Sequence, residues 1–106
     1  MAENFPSHHH ALVLRACRNL CGLTRQQLAD IAGVSVPAIA RIELAEATPR
    51  RSTWKVLIWT FGEVGVVVDE SESPTVTITF DTSSLSAWEA EGGIENAFPT
   101  ESDKDG

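Results

Sequence analysis

The chain has 106 residues, 42% of them hydrophobic and 22% charged, with a formal net charge of −7. That length suits one small domain with a modest core plus an appendage, and no apolar run approaches the roughly 18 residues that a membrane span needs. The opening MAENFPSHHHA places no basic segment ahead of an apolar one, so no secretion signal is expected.

The net charge is unevenly shared. Residues 1–62 carry seven Arg and Lys against four Asp and Glu, a balance of +3, whereas residues 63–80 carry −4 and residues 81–106 carry −6. A basic N-terminal unit is therefore joined to an acidic remainder, and only the first part has the sign that suits a polyanionic partner. Cys17 and Cys21 stand four apart on one expected helix face with no second Cys/His pair after them. They read as small buried apolar residues in a reducing, intracellular setting and not as a disulfide or a metal site.

In chain order, residues 1–8 read as a flexible arm. A first helix is expected over 9–21, with Leu14, Cys17 and Cys21 on one face and Gly22 as its stop. The run His8, His9, His10 reads as an arm or helix start, with no metal assigned. Thr24 followed by Gln27 forms a capping-box pattern at the head of a second helix, whose inner face is Leu28, Ala29 and Ala32. Gly33 supplies a positive φ for a tight turn, and Ser35 caps a third helix with Ile39 and Ile42 inward. Pro37 is tolerated because the first turn of a helix loses no internal N–H bond.

The segment EATPRRS reads as a loop, with Ser52 a fair cap for a fourth helix. There Trp54, Leu57, Ile58 and Phe61 recur at helical spacing, while Val56 and Trp59 fall off that stripe and call for a second surface to cover them. Gly62 is expected to end the helix. Beyond it the period changes to two: VGVVVDE and TVTITFD, separated by SESP, read as a β-hairpin over 63–80 with Val76, Ile78 and Phe80 on one face. Residues 81–106 are acidic with scattered Leu85, Trp88, Ile94 and Phe98, and read as a largely disordered tail with a helical turn or two near 84–91. The fold class expected is thus mostly α: a domain over 9–62, a short hairpin and an acidic tail.

Small Ala29, turn-forming Gly33 and angle-filling Val34, Ile39 and Ile42 are what two short helices at a fixed bend require. Such a bend lets the second helix enter a DNA major groove while the first lies across the backbone. The stretch LRACRNLCGLTRQQLADIAGVSVPAIARIE resembles the helix-turn-helix domain of the lambdoid repressor and Cro type, over roughly residues 11–62. Its opening GLT.QQLA, its turn AGVS and its close I.RIE all match. The resemblance implies a four- or five-helix DNA-binding regulator of transcription, commonly a homodimer on a palindrome. The residues themselves show no paired carboxylates, no phosphate loop and no nucleophile with a base beside it, so neither catalysis nor a cofactor is expected. The resemblance also implies a cytoplasmic, nucleoid-associated location of the bacterial, archaeal or phage kind.

Residue by residue, the resemblance places Ser35, Val36, Pro37, Ala38 and Arg41 at groove-facing positions. Of these only Arg41 carries the fork that grips guanine N7 and O6 bidentately; Val36, Pro37 and Ala38 offer methyl-scale contacts, which shifts weight towards shape readout. Arg25 at a helix N-terminus, and Arg50, Arg51 and Lys55 after the recognition helix, are expected phosphate contacts. Arg18 and Glu43 match a structural ion pair joining the first helix to the third. Dimerisation is expected through Val56, Trp59, Val66, Val68, Val76 and Ile78. A rival reading makes the helix-turn-helix a scaffold and the acidic 63–106 segment the working part, as in an antitoxin, an adaptor or a DNA-mimicking inhibitor that meets a protein partner.

Overall fold

The computed structural model describes residues 8–83. Its elements are α1 (His9–Cys21), α2 (Arg25–Ala32), α3 (Val36–Glu43), α4 (Arg51–Val64), β1 (Val66–Glu72) and β2 (Thr75–Phe80). The acidic tail beyond residue 83, with its expected helical turns, and the first seven residues of the arm lie outside the described residues.

Local sequence signals account for most helix boundaries. Gly22 leaves α1 in the left-handed region, and its end is tied by backbone bonds to Arg18 and Asn19. Thr24 and Gln27 complete a reciprocal capping box on α2: the Gln27 amide donates to Thr24 Oγ1 at 3.0 Å, and the Thr24 amide donates to Gln27 Oε1 at 2.8 Å. Gly33 then turns the chain with φ 74°. A Cβ built there would meet nothing within 4 Å, so the glycine serves the backbone angle and not a close approach. Ser35 caps α3 by accepting from the Ala38 amide at 3.2 Å.

One core unites all six elements. Val13, Leu14, Cys17 and Cys21 of α1 meet Leu28 and Ala29 of α2, Ile39 and Ile42 of α3, and Trp54, Leu57, Phe61 and Val64 of α4; Val66 brings β1 into the same cluster, and Val76 and Ile78 of β2 pack against it. The hairpin is antiparallel, pairing Val66 with Phe80 and Val68 with Ile78, and its register shifts between Asp69 and Glu72.

The structure corrects two expectations about the second half. First, α4 begins at Arg51 after Arg50 with no side-chain cap, so Ser52 is not its cap. Second, α4 runs through Gly62 to Val64, and Gly65, at φ 107°, is the stop. Gly62 is exposed in the final turns, where burial of Phe61 and Val64 outweighs the roughly 1 kcal/mol helix penalty of a glycine. The division between helical domain and hairpin therefore falls at Gly65. The hairpin's apolar face turns inward. Val66 is fully buried and Val68, Val76 and Ile78 pack half-buried against the core, while Phe80, at the strand end, is 47% exposed.

Candidate nucleic-acid interface

Two helices joined by the short link Gly33-Val34-Ser35 set the interface geometry. α2 is held by Leu28 and Ala29, and α3 by Ile39 and Ile42, all four buried. Anchoring on one side of an eight-residue helix frees the other: Ser35, Pro37 and Arg41 are exposed. Ala38 is half-buried, and so is Val36, which packs against the core. The sequence-expected groove set is thus divided into three exposed side chains and two half-buried ones.

At its C-terminal end α3 is fixed by charge as well as packing. The Glu43 side chain has no solvent exposure. Arg18 donates to it through Nε at 2.7 Å and Nη2 at 3.0 Å, and Arg25 donates through Nε at 2.9 Å. Arg18 Nη1 also donates to the Leu23 carbonyl at 2.8 Å, binding the α1–α2 connection into the same knot. Burial alone pushes the Glu43 carboxyl up; the hydrogen bonds and charges of Arg18 and Arg25 outweigh it and hold the group below its ordinary value. The Glu43 hydrogen bond in turn raises Arg18. Arg25, an expected phosphate contact, is engaged with Glu43 in this structure. The sequence pattern points to two members of the network, and the third emerges only from the fold.

Arg50, Arg51 and Lys55 are exposed at the start of α4 and in the loop before it, following α3 in the chain. Of the residues expected to mediate dimerisation, Val56 is 41% and Trp59 66% exposed. Val66 is fully buried in the core of its own chain, and Val68, Val76 and Ile78 pack half-buried against that core.

A polar cluster that no local pattern announces binds the hairpin to the helices. Glu70 of β1 lies with Oε2 2.7 Å from His9 Nε2 and accepts from Trp54 Nε1 at 3.2 and 3.3 Å. The His10 ring stands edge-on to Trp54 at 4.5 Å between centroids, and its burial lowers its pKa, helped by His9 and opposed by Glu70. His9 is therefore a buried structural residue of α1 and not part of a loose arm. Among the described residues no group of three or more His, Cys, Asp or Glu is placed to hold a metal ion, and no helix is long and apolar enough to cross a membrane. Burial pushes the thiols of Cys17 and Cys21 up to about 12 and about 11, which leaves them unreactive.

The helix-turn-helix family model matches residues 14–62. Over those residues the chain is similar to helix-turn-helix domains of the lambdoid repressor and Cro type. Domains of this family belong to DNA-binding regulators of transcription. No curated protein and no solved structure matches the chain. The matched span covers α2 and α3 whole, most of α1, and α4 up to Gly62, so it includes every outward residue of α3 and the entire Arg18–Glu43–Arg25 network. The hairpin lies beyond the matched helix-turn-helix.

Proposed function

We propose that this protein is a sequence-specific DNA-binding regulator, a repressor that binds double-stranded DNA as a homodimer with α3 of each copy in the major groove. The observation that carries this reading is the two-sidedness of α3. Ile39, Ile42 and Glu43 pin one side to the body, and Ser35, Pro37 and Arg41 stand outward on the other. Arg41 supplies base discrimination through its bidentate fork, and Ser35 and Pro37 line the groove entrance. Arg50, Arg51 and Lys55 take the flanking phosphates, and Arg25 steadies α3 through Glu43 while its remaining N–H groups stay at the protein edge, 38% exposed.

The second copy docks on the outer side of α4, where Val56 and Trp59 are exposed. Repression follows from occupancy of the site and requires no reaction.

Selection of bound duplexes from a random pool tests the reading. The expected result is a short palindromic consensus whose binding weakens steeply with salt. Arg41→Ala should then cost about 1–3 kcal/mol of discrimination at one symmetric position. Failure to enrich any sequence at low salt overturns it.

A further inference from the structure

The outer side of α4 carries two kinds of side chain in a fixed order. Arg51, Lys55 and Trp59 follow one another at intervals of four, Val56 lies beside Trp59, and all four are exposed. From the helix C-terminus backwards, the surface is therefore apolar first, at Trp59 and Val56, and cationic second, at Lys55 and Arg51. Glu63 occupies the last exposed position before the end.

The chain leaves the described fold beside that same helix end. Asp81, directly after β2, donates its amide to the Gly65 carbonyl at 2.9 Å, and Gly65 is the C-cap of α4. The residues that follow repeat the order of the helix surface. Ser84-Leu85-Ser86-Ala87-Trp88 is free of acids, and then Glu89, Glu91 and Glu95 arrive within seven positions. Lengths agree as well. Trp59 lies about 9 Å and Arg51 about 21 Å from Gly65 along the axis. A span of seven residues, Asp81 to Trp88, reaches up to about 25 Å.

We propose that residues 84–95 of this chain dock along the outer side of its own α4, with Leu85 and Trp88 against Val56 and Trp59, and Glu89, Glu91 and Glu95 over Lys55 and Arg51. Tethering makes weak contacts sufficient, because a short linker holds the segment near millimolar effective concentration. The acid-free opening of the segment passes Glu63 without like-charge repulsion. The regulatory consequence rests on the DNA-binding reading: the docked segment neutralises two phosphate-binding cations and covers the apolar pair offered to a second copy. The free protein is held off non-specific DNA until an operator and a partner copy displace the segment together.

The experiment uses the full chain carrying Ser86→Cys with a nitroxide spin label. Cys17 and Cys21, buried with raised thiol pKa values, stay unlabelled. Amide signals of α4 from Arg51 to Glu63 should be lost to paramagnetic broadening, while those of α2 persist. About 1 M salt, which shortens screening to ~3 Å, or the combined Glu89→Gln, Glu91→Gln, Glu95→Gln variant should restore them. Uniform broadening or none overturns the docking. Broadening that survives only between an isotope-labelled copy and a spin-labelled copy overturns it in favour of a second chain as occupant. The triple Gln variant should also bind a random duplex about tenfold more tightly at low salt. Unchanged affinity beside intact α4 broadening overturns the regulatory role alone. Absence of DNA binding by both forms overturns the DNA reading and leaves the docking result standing.

Discussion

Replacing Arg18 with methionine keeps an unbranched apolar stem and removes the guanidinium from the knot at the end of α3. Three hydrogen bonds vanish, two to Glu43 and one to the Leu23 carbonyl. Glu43, with a fully buried side chain, is left with Arg25, whose own side chain is 38% exposed. Stranding one partner of a buried ion pair costs about 3–5 kcal/mol. A domain of this size is stable by roughly 5–15 kcal/mol, and each kcal/mol moves Tm by about 4–8 °C, so a fall of about 12 °C or more is the expected minimum. Urea unfolding followed by tryptophan fluorescence at neutral pH should show a lower midpoint with an unchanged slope.

The pH dependence has a defined sign. Glu43 has a depressed native pKa, so its contribution is complete above the ordinary carboxyl value near 4.3 and fades as pH falls through the lower native value. The gap between native protein and variant should therefore narrow below about pH 4. Adding Glu43→Leu to Arg18→Met should recover much of the loss, because neither charge is then stranded. A cost under about 1 kcal/mol at neutral pH, or a gap that stays constant into acid, refutes the assignment of Glu43 as a buried carboxylate held by arginine.

Other outcomes follow from separate parts of the fold. Ala45 closes α3 at φ 61°, a left-handed angle that suits glycine, so Ala45→Gly should raise stability by about 0.5–1 kcal/mol in the same urea assay; a loss would contradict the backbone assignment. Glu70→Ala unties β1 from His9 and Trp54 and should cost about 1.5–3 kcal/mol, with hairpin amides exchanging faster than those of α2 and α3. Uniform acceleration across the domain would show that the cluster holds no element in particular. Arg50→Gln and Lys55→Gln should each lower the slope of log affinity against log salt by about 0.9 on a selected duplex, whereas an idle surface cation leaves it unaltered.

Features encoded within a few residues are legible in the sequence itself. The capping box at Thr24 and Gln27 and the turn at Gly33 are each complete within a handful of positions, and their geometry follows from local chemistry. Features decided by competition are not. Gly62 has the signature of a stop, but whether a helix halts there depends on what Phe61 and Val64 bury, and Gly65 closes it instead. Alternation in the hairpin announces a buried side without saying whether this chain or another buries it, and Val66, Val68, Val76 and Ile78 serve their own core. Pairings across the chain leave no local mark: Arg25 meets Glu43 over 18 positions and His9 meets Glu70 over 61, distances at which no periodicity survives.

The anchoring and the outward surfaces of α3 share an eight-residue helix without sharing a residue. Arg41 faces solvent while Ile39 and Ile42 hold the helix from the other side, so its side chain can be exchanged without repacking the core. On the DNA-binding reading proposed above, a lineage carrying this arrangement would acquire new targets through outward side chains while the protein beneath them stayed as it is.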